Sequence, residues 1–481
     1  MSRTIGRIAP ARLVLPGLIF IGVVTTAVGS LGAPLLPTIV TVDHVSLADS
    51  QWALTISLLA GAIAAPVLGR LADGGRRRDV IATALVIVAA GCILAALPLG
   101  FGWLLVGRAM QGVGLGLIPL AIAVARVALP PGKVGPGIAL LGVTTAAGLG
   151  VGYPIAGVIA QYLGLAAAFW AGAVLAVLAL VMAVMIVPNS AERDHARLDF
   201  IGAILLAVSV GGYLLVCAEG PDWGWASLPL IGTLAVAIIA TVAWVFWELR
   251  APSPLVNVRL LRHPQVLAAD VMVVLVGAGI YPLLSLVVRY VQTPTNAGYG
   301  YGYPAAVAGL TLVPYSLASF AASRIVQRLR HRFSLEVLVI GSCVILIASM
   351  VVFLTARELL LPLLLAMALA GLGIGAVFAI NPAQLHAGVP ASDTGSANSF
   401  YQVLRYIGYS LGSALSATLL VSAIPAHGNA PRDSGYSAAA WFGIAVLIVA
   451  VLASVLLNRN KTRSRVREAQ LQLGDSAKVG T

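Results

Sequence analysis

Arg108, Asp270 and Arg405 each stand inside a run of apolar sequence long enough to cross a membrane. A guanidinium or carboxylate in hydrocarbon needs a partner or water, so such residues mark substrate sites, ion paths and proton relays. Arg108 belongs to Gly107-Arg108-Ala109-Met110-Gln111-Gly112-Val113-Gly114. It lies about five residues, roughly 8 Å, inside the start of its helix; snorkelling to that interface is the structural alternative. Asp270 and Arg405 lie about five to seven residues inside the ends of their spans, where a buried ion pair would relieve the desolvation of both. We expect them to pair, either structurally or in a way that exchanges a proton or meets substrate.

The densest charge lies outside the apolar runs. Residues 69–78 read Gly69-Arg70-Leu71-Ala72-Asp73-Gly74-Gly75-Arg76-Arg77-Arg78. So short a charged segment between two spans must be a hairpin at the membrane surface. Other chemistries find no support. The six histidines fall in loops or near helix ends, and no span holds paired carboxylates, so an enzyme such as a membrane-embedded transferase lacks an acid-base constellation. No GxxxxGK[ST] phosphate loop is present, which argues against an ATP-driven pump. Cys92, Cys217 and Cys343 lie apart inside apolar spans and read as packing residues, with no metal or cofactor implied.

These residues need a membrane to position them. The chain has 481 residues, 60% hydrophobic and 10% charged, more apolar surface than a soluble fold of this length buries. At about 20 apolar residues per span, about 14 spans follow, beginning near Val14, Trp52, Val80, Leu104, Gly137, Leu165, Phe200, Leu228, Val266, Ala305, Leu335, Leu360, Asn398 and Ala438. The first apolar run is too long for the core of a cleaved signal peptide and reads as a retained span. About 24 Lys and Arg lie at the termini and in the loops sharing their side, against about three opposite, which predicts cytoplasmic termini in an inner membrane. The net charge of +12 is thus explained by topology rather than by a nucleic-acid partner. The basic tail, with Arg459, Lys461, Arg463, Arg465 and Arg467, suits anionic headgroups. The stretch from Gln292 to Pro304, rich in tyrosine, reads as an aromatic gate or as a flexible loop with interfacial tyrosines.

Sliding the chain by about 254 to 260 positions reveals a weak repeat, the mark of a two-half transporter. Gly112-Val113-Gly114-Leu115-Gly116 meets Gly371-Leu372-Gly373-Ile374-Gly375, Gly148 and Gly152 meet Gly408 and Gly412, and the arginine loop meets a degenerate copy from Ser323 to Arg332. The predicted division is an N-terminus (1–13), a six-helix half (14–187), a linker (188–199), an inserted helix pair (200–248), a second linker (249–265), a second six-helix half (266–457) and a tail (458–481).

The arginine loop closely resembles the loop between helices 2 and 3 of the major facilitator superfamily, and the Arg108 segment is similar to that superfamily's second signature. Gly148-Leu149-Gly150-Val151-Gly152-Tyr153-Pro154-Ile155-Ala156-Gly157 resembles its exporter-associated glycine-proline motif, with Tyr153 splitting the usual Gly-Pro pair; a generic packing face bent by Pro154 is the alternative. The resemblance implies an all-α integral membrane fold of two halves rocking about a midplane site. It implies a cytoplasmic gate built on Gly69, Asp73, Gly74, Arg76, Arg77 and Arg78, with Asp73 facing the start of span 13; the loop before that span lacks Lys and Arg and carries Asp393, which we expect to attract Arg76, Arg77 or Arg78. It places Arg108 and Gln111 at the cavity and packs the spans of Asp270 and Arg405 side by side, which makes those two charges further candidates for the cavity or for coupling, and it leaves Gly112, Gly148, Gly152, Pro154 and Gly157 to helix packing and bending. The span count points to the 14-span drug/proton antiporters, which often carry an aspartate in span 1. The position aligned with it here is Val28, which leaves Asp270 as the substitute. The implied function is proton-coupled export of small amphipathic or drug-like compounds by a monomer in a bacterial cytoplasmic membrane, with protons, the lipid bilayer and a small molecule as partners. Export of an endogenous lipid or metabolite without proton coupling is the alternative.

Overall fold

The computed structural model describes residues 11–29, 31–45, 47–73, 76–188, 199–252, 254–387, 389, 394–425 and 431–479. Among these residues every regular element is helical, and the helices make fourteen consecutive passages. The first half holds six: α1 (Ala11–Gly29) with α2 (Gly32–Asp43), α3 (Leu47–Asp73), α4 (Arg77–Ala96), α5 (Phe101–Gly112) continued through a 3-10 turn (Val113–Gly116) into α6 (Leu117–Ala128), α7 (Pro131–Gly142) with α8 (Thr144–Leu163), and α9 (Leu165–Ile186). The inserted pair is α10 (Phe200–Trp223) and α11 (Leu228–Glu248). The second half holds α12 (Pro264–Gln292), α13 (Ala305–Leu310) with α14 (Val313–Leu329), α15 (Leu335–Ala356), α16 (Leu360–Ala387), α17 (Thr394–Ser422) and α18 (Asp433–Val479). We call the face carrying the α3–α4 connection the arginine face and its opposite the far face.

Among the described residues, eleven passages are long and apolar enough to cross a membrane. Breaks or buried polar groups mark the first, fifth and thirteenth. The first breaks after Gly29 and the fifth at Val143, while the thirteenth carries Asn398, Gln402 and Arg405 on its buried surface. The break in the fifth passage lies well before Pro154, which sits inside continuous α8.

Two hydrophobic cores underlie the two halves. One draws only on residues between Val14 and Val187. The other is built mainly from α12 to α18, with Leu206, Val210, Leu214 and Trp244 of the inserted pair added to it.

The internal repeat is realised as matching helix contacts. A Cβ on Gly112 would lie 2.2 Å from the Ser57 carbonyl oxygen of α3, and one on Gly371 would lie 1.9 Å from the Tyr315 oxygen of α14. Likewise a Cβ on Gly148 would meet the Val23 oxygen of α1 at 2.8 Å, and one on Gly408 the Val274 oxygen of α12 at 2.6 Å. Gly152 and Gly412 repeat this one turn on, against Ala27 and Ala278. Lipid offers helices no hydrophobic incentive to associate, so close backbone approach over small residues supplies the packing.

Helix α10 packs against both α3 and α17, and α11 packs on α10. Trp225 Nε1 donates to Thr418 Oγ1 at 3.1 Å, and Trp244 stacks on Phe400 of α17 at 5.8 Å. The start of α10 is capped by Asp199, which accepts from Gly202 N at 2.9 Å and from Trp247 Nε1 of α11 at 2.8 Å.

The tyrosine-rich stretch before α13 is an ordered cap on the far face of the second half. Tyr290 packs against Tyr299, Tyr301 and Tyr436. Burial pushes the Tyr299 and Tyr301 phenols up to about 12, so both stay neutral donors, Tyr301 to the Arg357 carbonyl and Tyr299 to that of Pro431. Arg357 in turn holds Asp433 through both carboxylate oxygens and lies over the Tyr290 ring at 5.9 Å. All these residues belong to the second half, so the cluster ties that half together and does not gate between halves. Arg357 is 6% exposed and Asp433 44%; stranding the more buried partner costs more. Asp433→Asn keeps hydrogen-bonding capacity while stripping the charge opposite buried Arg357, whereas Arg357→Met leaves Asp433 to water. Thermal unfolding should therefore show a larger drop in midpoint for Asp433→Asn, by a few degrees, and the reverse order would contradict the burial argument.

Candidate transport site between the halves

Arg108 is fully buried and does not snorkel. Its Nε donates to the Ala53 oxygen at 2.9 Å, its Nη1 to the Val28 oxygen at 3.1 Å and to Gln111 Oε1, and its Nη2 to the Gly29 oxygen at 2.7 Å. Gln111 Nε2 donates onward to the Gly91 oxygen at 3.2 Å. A helix leaves its last carbonyls without intrahelical donors, and Val28 and Gly29 end α1 just where the first passage breaks. Arg108 thus caps a helix end within the membrane, and Gln111 fixes the guanidinium in place. Val28, aligned with the missing aspartate, turns its side chain toward Gly172 beside Leu31 and Cys92, so this position belongs to the core of the first half.

The second intramembrane arginine has different surroundings. Arg405 on α17 faces the rings of Phe378 at 4.8 Å, Tyr406 at 5.7 Å and Tyr409 at 5.9 Å. It hydrogen-bonds the Tyr406 hydroxyl, which donates across to the Leu115 oxygen of the first half at 3.4 Å. Next to it, a cavity opens between the halves, lined from the first half by Ile118, Pro119 and Ile122 of α6 and Gly142 of α7, and from the second by Phe378 of α16 and by Asn398, Tyr401, Gln402 and Arg405 of α17. Tyr281 stacks on Tyr409 at 4.6 Å, and Tyr153 from the first half packs against the second core. These tyrosines escape a search for charge. The signal available in sequence was the spacing of Tyr401, Arg405 and Tyr409, four residues apart and so on one helical face.

No ion pair joins Asp270 to Arg405 among the described residues. Close packing sets α12 and α17 side by side, with Gly408 on Val274 and Gly412 on Ala278, which brings both charges to similar depth. Their side chains diverge around α17. Arg405 turns to the cavity, whereas Asp270 lines a separate groove with Val256, Asn257, Leu260 and Leu261 of the preceding linker and with Ala397 and Phe400. Asp270 is 3% exposed, and its Oδ1 has no hydrogen-bond partner among the described residues.

The residues proposed for the arginine-face gate are described only in part. Gly69 is buried, Arg76 exposed, and Arg77 and Arg78 half-buried at the start of α4. Asp73 ends α3, and nothing is described of its side chain; Gly74 and Asp393 lie outside the described residues. Gly157 and Pro154 are buried on α8. At Pro154 the halves meet, since a Cβ on Gly309 of α13 would lie 3.1 Å from the Pro154 Cα. One on Gly150 would lie 2.7 Å from the Leu312 oxygen. At the arginine face Gln327 Nε2 donates to the Pro136 oxygen of α7 at 3.4 Å. The halves therefore touch on both sides of the cavity.

Two helical halves, each with its own core, closed around a cavity that both of them line, define a membrane transport protein. The Major Facilitator Superfamily model matches residues 18–413, and the chain belongs to this family. Among its relatives, an uncharacterized MFS-type transporter of Mycobacterium tuberculosis is 27% identical over 86% of the chain, and the aligned region spans 60% of that relative's length. The tetracenomycin C resistance and export protein of Streptomyces glaucescens is 27% identical over 82% of the chain and 75% of its own length. The lincomycin resistance protein LmrB of Listeria monocytogenes is 24% identical over 89% and 92%. The crystal structure of the human organic anion transporter MFSD10 (TETRAN) shares the fold, with a TM-score of 0.65 at 17% identity over 93% of this chain and 100% of that one.

Proposed function

We propose that this protein exports small amphipathic, drug-like molecules by alternating access, using protons as the counter-ion. The observation that carries the reading is the cavity shared by α6, α7, α16 and α17, which has aromatic and amide walls around Arg405. Such a lining suits an apolar body with a few polar groups. Resistance and export functions named for relatives at 24 to 27% identity support the direction of transport. The concentration of arginine on one face supports cytoplasmic termini in a bacterial inner membrane. In this scheme the arginine loop with Asp73 and Asp393 latches the cytoplasmic side, and the chain works as a monomer.

Proton coupling is assigned to Asp270. It is buried, its Oδ1 is unpartnered among the described residues, and its groove abuts α17, the helix that carries Arg405. Protonation would remove the cost of holding a lone carboxylate in that groove, and rocking of the halves would alter its access to water. Inside-out vesicles holding a preformed pH gradient should lose it when substrate is added, with a panel of dyes, antibiotics and lipid-like amphiphiles as probes. Asp270→Asn should abolish the substrate-dependent proton movement while leaving energy-independent substrate exchange. Proton movement that persists undiminished in Asp270→Asn removes this residue from coupling.

A further inference from the structure

We propose that Glu248 is a positioning residue for Asp270. As a carboxylate it holds the α11–α12 linker shut over the Asp270 groove, and on protonation it releases the linker and opens the groove to water at the arginine face; this rests on the assignment of proton coupling above. Glu248 ends α11 and is 4% exposed. Its Oε2 accepts from Val256 N at 3.4 Å and the carboxylate also accepts from Leu255 N, so a buried charge is tied to the main chain of the linker. Val256 is the shared element. Its N–H is bound to Glu248, and with Asn257, Leu260 and Leu261 it lines the groove in which Asp270 Oδ1 has no partner among the described residues. Trp244, one turn before Glu248 on α11, stacks on Phe400 of α17, which lines the same groove. The linker is thus clamped to the inserted pair where it covers Asp270. Among the described residues no cation is set against Glu248, and the charged group facing it is Asp199, half-buried at the start of α10. A Cβ on Gly202 would lie 2.6 Å from Asp199 Oδ2 and 3.0 Å from Glu248 Oε1. Arg259 and Arg250 of the linker are engaged elsewhere, on the Leu249 oxygen at 2.9 Å and over the Phe246 ring. Two like charges across one glycine repel until one takes a proton. Charge-assisted bonds are about twice as strong as neutral ones, so that proton also weakens the hold on Leu255 and Val256. The step moves a proton between arginine-face water and a Glu248 oxygen and changes no other covalent bond.

Hydrogen–deuterium exchange of the purified full-length protein in nanodiscs reads this latch without any substrate. At about pH 8 the amides of Leu255 and Val256 should be protected in wild type and should exchange about tenfold faster in Glu248→Gln, which keeps an acceptor and loses the charge. After correction for the intrinsic effect of pH on exchange, wild-type protection should fall toward that of Glu248→Gln as the pH is lowered to about 5, while the variant stays flat. Asp199→Asn keeps a cap on α10 and removes the like charge, so protection should persist to lower pH. It serves in place of Glu248→Gln should that variant aggregate, and a wild-type curve that it leaves in place counts against the latch. Equal protection in wild type and Glu248→Gln, or wild-type protection that does not change with pH, overturns the proposal. Substrate-driven proton movement in inside-out vesicles, whose bath faces the arginine side on the topology above, tests the coupling assignment separately. At a fixed gradient, Glu248→Gln should flatten the dependence of its rate on bath pH. Protection lost in Glu248→Gln with proton movement indifferent to Asp270→Asn would keep the latch as a structural element and sink the coupling assignment. Proton movement that needs Asp270 and shows the same pH profile in Glu248→Gln as in wild type would keep the coupling and sink the control by Glu248.

Discussion

Arg108→Leu should leave almost no folded protein in the membrane. The substitution makes the span uniformly apolar and keeps much of the volume, so a hydropathy argument alone would call it harmless or beneficial. The structure says otherwise, because Arg108 donates to the Gly29 carbonyl at the break and adds a second donor to the carbonyls of Val28 and Ala53, which also accept from Leu31 N and Ser57 Oγ. In hydrocarbon each backbone group left without a partner costs several kcal/mol, and a domain's whole margin of stability is about 5–15 kcal/mol. The broken first passage would have to straighten, and the close contact of α1 with α8 over Gly148 and Gly152 would go with it. Size-exclusion chromatography of a fluorescent fusion, extracted in mild detergent, would report a collapse of the monodisperse peak. Arg108→Lys should retain a fraction, since an ammonium can reach some of these oxygens. A Leu variant that elutes like wild type and transports would mean that water or another side chain caps the break.

Gly150→Val should leave the protein folded and transport reduced at least about tenfold, a change of about 1.4 kcal/mol or more in the balance between conformations. The Cβ would lie 1.6 Å from Ser316 Oγ, which can rotate aside, and 2.7 Å from the Leu312 oxygen, which cannot. The clash is between halves rather than within one, so it is relieved by parting α8 from α14 at little cost to either core. A cysteine replacing buried Leu312 should become reactive to a membrane-impermeant maleimide in the Gly150→Val background. If it stays protected, the glycine serves ordinary packing and the closure argument fails. A valine at Gly112 or Gly371 should behave differently, by destabilising the half in which it sits.

These two residues also show how far the sequence could be read. Composition and the period of apolar runs announced the helical passages, because burying backbone in lipid leaves few choices. The repeated glycines were visible as a pattern, and the contacts they make, α3 with α5 and α14 with α16, are the same in both halves. The role of Arg108 was not legible. Its signal was a charge in a span, but its partners are mostly main-chain oxygens, two of them at a helix break, which no side-chain pattern announces. For Asp270 and Arg405, depth and neighbouring helices were read correctly and the pairing was not, because helix spacing does not fix the direction in which each side chain leaves the α12–α17 contact. The aromatic cavity wall was missed because tyrosines in a membrane protein suggest the interface first, and several of these lie far inside it.

The inserted pair has a consequence for how solutes reach the cavity. Helix α10 lies over the seam where α3 of one half meets α17 of the other, with Trp225 of the α10–α11 connection and Trp244 of α11 fastening the pair to α17. On this flank the seam has a double wall, and a molecule dissolved in the lipid leaflet has no lateral doorway there. The opposite flank, where α8 meets α13 and α14, has a single wall of glycine and proline contacts. On the export reading, lateral entry from the bilayer would be confined to one side of the protein, and the two leaflet-facing flanks, equivalent by the internal repeat, are made unequal by two added helices.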